Sequence, residues 1–188
     1  MGMLLKTIAS DGHAFDTYIA QPNGAPLGGL VIIQEIFGLN NHIKSIADRY
    51  ASEGYLVAAP ALFDRIDRGI KLNYESTDIE KGRDLKNATG DELPLKDIDA
   101  ARSIASAAGK VGIVGFCWGG TLAWLAACKV PGFACASSYY GGGIASLMSF
   151  TAKCPVIFHF GRKDRAIPLE EVEIIRVSQP DNHVYLYP

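Results

Sequence analysis

Short apolar runs alternate with longer amphipathic stretches along most of the chain. The run Leu30–Ile33 is apolar at every position, which is typical of a strand covered on both faces. Between such runs, apolar residues recur every three or four positions, as in helices that bury one side. This alternation predicts an α/β fold with a mostly parallel sheet flanked by helices. No repeat or linker interrupts it, so we expect residues 1–188 to form one domain.

The pattern also locates the individual elements. The predicted strands are Leu4–Ile8, Phe15–Ala20, Leu30–Ile33, Tyr55–Ala59, a strand that begins at Val111, Phe133–Tyr139, Pro155–Phe160 and His183–Tyr187. The predicted helices are Ile43–Ser52, Glu75–Asn87, Leu95–Ala107, Trp118–Cys128 and Leu169–Val177. Residues 60–74 show neither period and begin at Pro60, so we predict an irregular segment of the kind that often carries function.

The clearest chemical signal is the segment Gly115-Phe-Cys117-Trp-Gly119, which follows an apolar strand and opens a helix. A strand, a tight turn and a helix in this order form a nucleophile elbow, here with sulfur in place of the usual serine oxygen. The helix N-terminus favours a thiolate or an oxyanion beside it. We therefore predict that Cys117 is a nucleophile. The alternative is a buried structural cysteine.

Two carboxylates also follow predicted strands. Glu35 comes after the third strand and Asp164 after the seventh, and ligands of parallel sheets bind beyond the carboxyl ends of the strands. Glu35 could take the proton of the Cys117 thiol where both groups are desolvated, or it could instead belong to a surface ion pair. Asp164 is placed as a triad acid, and its alternative is a turn aspartate.

A tetrahedral intermediate at this elbow needs two backbone donors. The rule for such folds gives the amide of the residue after the nucleophile, Trp118, and an amide from the loop after the third strand, for which we select Ile36. In the irregular segment, Arg65 and Arg68 could bind an anionic substrate because a guanidinium binds a carboxylate with two hydrogen bonds. They could equally be solvated arginines paired with nearby aspartates.

The amino-acid composition argues against several classes of function. The formal charge of −2 offers no basic surface for nucleic acid. The four cysteines show no zinc-type spacing, so we expect no metal and no other cofactor. The uncharged stretch Val111–Cys128 contains four glycines and reads as strand plus helix rather than a membrane span. Without a signal-peptide pattern, we expect a cytoplasmic protein.

Three motifs in order resemble those of the dienelactone hydrolases: Gln34-Glu-Ile-Phe-Gly38, Gly115-Phe-Cys-Trp-Gly-Gly120 and His159-Phe-Gly-x-x-Asp164-x-x-x-Pro168. The resemblance implies an α/β-hydrolase fold and cleavage of enol-lactones and related esters by a Cys–His–Asp triad. It implies that Cys117 is the nucleophile, Asp164 the triad acid and Glu35 the proton acceptor. It also implies that Arg65 binds a substrate carboxylate, although Ala61 stands where the family has aspartate.

The resemblance further implies a catalytic histidine and a final helix after the last strand, and the sequence stops at Pro188 before either. None of the four histidines fits this role; His183 follows Asp164 as the family order requires, but it opens a strand at the wrong end for the site. We therefore keep two alternatives to a small-molecule ester or lactone hydrolase: an α/β-hydrolase-fold chain that lacks the triad histidine, and a thiol-dependent redox or binding protein.

Overall fold

The computed structural model describes residues 2–188, in which eight strands form one sheet. The strands are β1 (Met3–Ile8), β2 (Ala14–Ala20), β3 (Gly28–Ile33), β4 (Tyr55–Pro60), β5 (Val111–Phe116), β6 (Phe133–Tyr139), β7 (Val156–Gly161) and β8 (His183–Tyr187). Their order is β1-β2-β4-β3-β5-β6-β7-β8. β2 runs antiparallel to both of its neighbours, and β3 to β8 are parallel. The predicted fold class is confirmed.

Five α-helices connect the strands: α1 (Asn41–Ser52), α2 (Ser76–Thr89), α3 (Glu92–Ala105), α4 (Trp118–Lys129) and α5 (Leu169–Ser178). The side-chain oxygen of Asn40 caps α1 by accepting a hydrogen bond of 3.1 Å from the amide of Ile43. α3 begins at Glu92 rather than at the predicted Leu95. Pro94 explains the difference, because proline is tolerated in a first helical turn, where the amide needs no intrahelical partner.

The helices cover the sheet unequally. α1 packs on one face, over β4, β2 and β3, around a smaller core that includes Ile32 and Val57. α3 and α4 pack on the other face, where the larger core contains the fully buried Trp124. No helix within residues 2–188 is both long and apolar enough to cross a membrane. The uncharged stretch that raised this question is divided between β5 and α4, as predicted.

Four aromatic rings form a continuous series across the parallel strands. Phe116, Tyr139, His159 and Tyr185 are register partners on β5, β6, β7 and β8. Their ring centroids are 5.1, 4.1 and 5.2 Å apart in that order, and the planes of each pair lie within 23° of parallel. The phenol of Tyr187 lies 2.9 Å from Nδ1 of His159. His159 is therefore part of the packing of the sheet.

The segment after β4 is largely irregular, as predicted, and it is held by buried polar contacts. It contains a short 3-10 helix, Leu62–Arg65, and a single bridge between Gly38 and Lys71. The carboxylate of Asp64 is buried and accepts hydrogen bonds from the amides of Asp16 and Gly69. The bond from Asp16 attaches the start of the loop to β2, and the bond from Gly69 closes the loop on itself.

Candidate active site

Cys117 lies at the tip of a tight turn between β5 and α4. Its backbone has φ = 55° and ψ = −121°, a conformation that non-glycine residues rarely adopt and that accumulates at functional sites. The amide of Cys117 donates to the carbonyl of Tyr139 at 3.0 Å, and its own carbonyl accepts from Gly120 at 2.8 Å. These contacts fix the strained residue at the carboxyl edge of the sheet.

The glycines around the cysteine are required by close backbone packing. A Cβ added to Gly115 would lie 1.8 Å from the carbonyl oxygen of Gly119, and a Cβ on Gly119 would lie 2.4 Å from that of Gln34. Both distances are far inside van der Waals contact. The turn can therefore form only with glycine at both positions, which is the physical basis of the Gly-x-Cys-x-Gly pattern.

The Cys117 thiol is half-buried and lies among charged groups. Burial raises the pKa of the thiol, and the negative charges of Glu35 and Asp164 raise it further. A hydrogen bond from the backbone amide of Trp118 and the positive charge of Lys86 lower this pKa. Since burial dominates, the resting group at neutral pH is the thiol, and nucleophilic attack requires a proton acceptor.

Glu35 is buried between β3 and α1, and its carboxylate is held by two phenols. Tyr74 donates to Oε2 at 3.0 Å and Tyr140 donates to Oε1 at 3.2 Å. Burial beside this carboxylate raises the pKa of both tyrosines. Glu35 is therefore not the exposed ion-pair residue of the alternative interpretation. It is a desolvated carboxylate whose charge reaches the thiol.

The two predicted backbone donors belong to buried residues. Among the backbone-to-backbone hydrogen bonds of residues 2–188, neither the amide of Ile36 nor that of Trp118 donates to a carbonyl. The Trp118 indole is fixed by stacking on Phe63 at 5.4 Å and by a 2.7 Å hydrogen bond from Nε1 to Asp91. The Ile36 amide is thus available for a ligand oxygen, whereas the Trp118 amide would first have to exchange its hydrogen bond to the Cys117 thiol. The role of both amides as an oxyanion hole remains a prediction.

Asp164 lies in the loop after β7, where its Oδ1 accepts a hydrogen bond of 2.8 Å from the amide of Ala166. This contact is that of a turn aspartate, while its charge also reaches Cys117. None of the four histidines is hydrogen-bonded to Asp164 within residues 2–188. His183 is exposed and pairs with Ile157 at the amino end of β7, on the opposite edge of the sheet.

Arg65 is engaged in ion pairs rather than free to meet a ligand. Its Nε and Nη2 each donate to Asp97 at 2.8 Å, and Nη1 donates to Asp11 at 3.0 Å. The side chain of Asp97 is fully buried, and that of Arg65 is 8% exposed. Burial raises the pKa of Asp97 to about 6 despite the opposing charge of Arg65. The substrate-binding role of Arg65 stays a prediction, and it would require one of these pairs to open.

Three side chains near the thiol or its partner were missed by the sequence reasoning. Tyr140 follows β6 and could have been selected as a polar residue at a strand end. Tyr74 lies at the end of the irregular segment, which gave no residue-level signal. Lys86 lies within α2, and helical periodicity does not distinguish it from the other lysines of that segment.

Comparisons with known proteins agree with this arrangement. The model of the dienelactone hydrolase family matches residues 15–188. A carboxymethylenebutenolidase of Pseudomonas putida is 34% identical over 173 residues, covering 88% of this chain and 72% of that protein. A crystal structure named "Putative Dienelactone Hydrolase", from Klebsiella pneumoniae subsp. pneumoniae, has a TM-score of 0.85 at 29% identity and covers 100% of this chain and 86% of that one.

A more distant neighbour shows how widely the fold is shared. An esterase of Pyrococcus furiosus has a TM-score of 0.70 at 13% identity, over 100% of this chain and 82% of that one. The sheet order, the flanking helices and the elbow define an α/β-hydrolase. Within that class, the chain belongs to the dienelactone hydrolase family, and it is accordingly a carboxylic-ester hydrolase.

Proposed function

We propose that the protein cleaves small lactones or esters by covalent acyl transfer to Cys117. The observation that carries the proposal is the position of this thiol. It lies on a strained turn at the carboxyl edge of the sheet, where the charges of Glu35 and Asp164 both reach it. The amides of Ile36 and Trp118, neither of which donates to a backbone carbonyl, supply the oxyanion hole.

In the acylation step, the thiol proton passes to the Glu35 carboxylate while Sγ bonds to the substrate carbonyl carbon. The π electrons of the carbonyl move to its oxygen, which the two amides stabilise. The oxyanion then re-forms the carbonyl and expels the alkoxide or enolate, which takes the proton from Glu35. The product at this stage is a thioester on Cys117.

In the deacylation step, water attacks the thioester carbonyl and gives a proton to a base. The new C–O bond replaces the C–S bond, and sulfur leaves as a thiolate that is reprotonated. Asp164 has no hydrogen-bonded histidine within residues 2–188, so Glu35 is the base that the described residues offer. The Glu35 carboxylate that would activate water is held by hydrogen bonds from Tyr74 and Tyr140, and water is a weaker nucleophile than the thiol. We therefore infer that deacylation is slower than acylation.

Rapid-mixing kinetics with 4-nitrophenyl butyrate test both parts of the proposal. We expect a burst of about one nitrophenolate per chain, a slow steady state, and a butyryl group on Cys117 by mass spectrometry. Cys117→Ala should abolish the burst and Cys135→Ser should leave it intact, because Cys135 is exposed on β6. Acyl transfer that survives in Cys117→Ala, or a label on another residue, would refute the assignment.

A further inference from the structure

An open groove lies between helix α1 and the aromatic series on β5 and β6. Its volume is about 540 Å³, which is typical of a site for a small organic ligand. Because α1 packs over β4, β2 and β3, the groove occupies the strip of sheet beside the helix. α1 contributes His42, Ile46 and Tyr50 to its lining, and the sheet side contributes Phe116, Tyr139 and Tyr140. We propose that this groove binds the aryl group of the alcohol or enol that leaves the ester in the acylation step.

The groove adjoins the proposed catalytic groups at the carboxyl edge of the sheet. Phe116 immediately precedes Cys117 in the chain, and its ring stacks on that of Tyr139 with the centroids 5.1 Å apart. The ring of Tyr140 lies 6.4 Å from that of Phe116, and the Tyr140 phenol donates to Oε1 of Glu35 at 3.2 Å. A group in contact with Tyr140 is therefore separated from the proposed proton acceptor by a single side chain.

The backbone of Tyr140 is strained in the same way as that of Cys117. Tyr140 has φ = 40°, and within residues 2–188 it and Cys117 are the only non-glycine residues with a positive φ. Its amide donates to the carbonyl of His159 at 2.8 Å, which holds the turn against β7. Strain of this kind accumulates at functional sites. It supports a role for Tyr140 as a wall that the groove and the site share.

The proposed acylation step determines which part of the ester enters the groove. The expelled oxygen takes its proton from Glu35, so it faces that carboxylate when the C–O bond breaks. Tyr140 binds this carboxylate and lines the groove next to it. The carbon skeleton of the leaving group is therefore directed toward the groove, whereas the acyl group stays on the thiol. The inference thus rests on the proposed function of Cys117.

The lining of the groove favours an extended, uncharged aryl group. His42, Ile46 and Tyr50 are four residues apart and so share one side of α1, over about 12 Å of helix. The aromatic side chains around the groove can pack on an aryl group in offset or edge-to-face contacts. Arg49 and Glu53, which also line the groove, are exposed and opposite in sign, so they favour no net charge. A naphthyl group can use this length, whereas a phenyl group fills only part of it.

Acetylation of Cys117 by 2-naphthyl acetate and by phenyl acetate tests the inference. The two esters share the acyl group, and their alcohols are of similar acidity. Division by the same ratio for N-acetylcysteine removes what remains of their difference in intrinsic reactivity. The corrected naphthyl-to-phenyl ratio of the second-order rate constants therefore reports on binding of the leaving group. We expect this ratio to be about tenfold in the parent.

Variants of the groove should abolish this preference without touching the catalytic groups. Tyr50→Leu removes an aromatic wall and should lower the ratio about threefold to tenfold. Ile46→Trp should lower it as well, because the larger side chain fills the groove. Tyr55→Leu is the matched control and should keep the ratio of the parent, since the Tyr55 ring contacts that of Tyr50 at 6.4 Å but does not line the groove.

A corrected ratio near one in the parent, or a ratio that stays unchanged in the groove variants, would overturn the inference. Failure of both esters to acetylate Cys117 would instead contradict the proposed function. Calorimetric titration with 2-naphthol then decides the question of the groove. The parent must bind 2-naphthol, and Ile46→Trp must bind it at least about tenfold more weakly. Absence of binding to the parent, or equal binding to both proteins, would also overturn the inference.

Discussion

The phenol oxygen of Tyr74 lies 3.0 Å from Oε2 of Glu35, although the two residues are 39 positions apart in sequence. Tyr140 binds the other oxygen of the same carboxylate at 3.2 Å. The group proposed to receive the thiol proton is thus held on both sides by donors. Proton transfer from Cys117 must compete with these two hydrogen bonds, which are of the stronger, charge-assisted kind.

Replacing Tyr74 should release one side of this carboxylate. We expect Tyr74→Phe to increase the rate of Cys117 alkylation by iodoacetamide at pH 7 by about three- to tenfold, since the net value of such a hydrogen bond is about 1 kcal/mol or more. The increase should vanish in a Glu35→Gln background, where no carboxylate remains to be released. Equal increases in both backgrounds would mean that Tyr74 acts by covering the thiol rather than through Glu35.

The pH dependence of Cys117 reactivity should show a thiol that resists ionisation. Burial and two nearby carboxylates raise the pKa of this thiol, so its thiolate fraction at neutral pH is below that of a free cysteine. Alkylation by iodoacetamide should therefore have its midpoint above about 8.5. Asp164→Asn removes a negative charge and should lower the midpoint, whereas Lys86→Met should raise it. A midpoint below that of free cysteine in the parent would contradict this electrostatic description.

Gly82 should be indispensable for the position of α2. A Cβ at this residue meets the Ile36 carbonyl oxygen at 2.2 Å, so Gly82→Ala must displace the helix or the Glu35–Phe37 loop. We expect a loss of about 1–3 kcal/mol in the free energy of unfolding by urea denaturation. Gly142→Ala serves as the control because nothing lies within 4 Å of its added Cβ, and it should change the stability little. Equal stabilities would show that the helix can shift at no cost.

Arg65 should prove essential for stability. Arg65→Met leaves the fully buried carboxylate of Asp97 without its partner, which typically costs about 3–5 kcal/mol. Lys6→Met removes an exposed partner of Asp16 and should cost less than about 1 kcal/mol. The measurement is the unfolding midpoint and slope in urea. If Arg65→Met is as stable as Lys6→Met, Arg65 is not needed to stabilise the buried Asp97. The arginine would then be free for the ligand-binding role that the sequence predicted.

The sequence predicted the strands well: β3, which is buried at every position, appears as an uninterrupted apolar run, and the partly exposed β6 and β8 are bounded by glycine, proline and asparagine residues typical of turns. β6 and β8 have the bounds Phe133–Tyr139 and His183–Tyr187 in both prediction and structure. Helix ends were less predictable, since a cap or a first-turn proline such as Pro94 shifts the start by a few residues without altering the periodicity. Cys117 was identifiable because the residues two positions before and after it, Gly115 and Gly119, must be glycine. This constraint is visible in the sequence.

The contacts of the site were not predictable to the same degree. The pairing of Arg65 with Asp97 joins a loop to a helix 32 positions later, and nothing in either segment specifies the partner. The phenols on Glu35 arise in the same way, from Tyr74 in an irregular loop and Tyr140 after β6. Local sequence determines which residue types are present at strand ends. The order of strands in the sheet decides which of them meet.

The aromatic series across β5, β6, β7 and β8 has a consequence for how the site keeps its dimensions. Each ring is the register partner of the next, so a slip of one residue between any two strands would send one ring to the opposite face of the sheet and break the stack there. The series therefore fixes the register of the four strands relative to one another. It holds the starting points of the Cys117 turn, the Tyr140 turn and the Asp164 loop at one level, so the spacing of the reactive groups is set by the stacking of rings within the sheet.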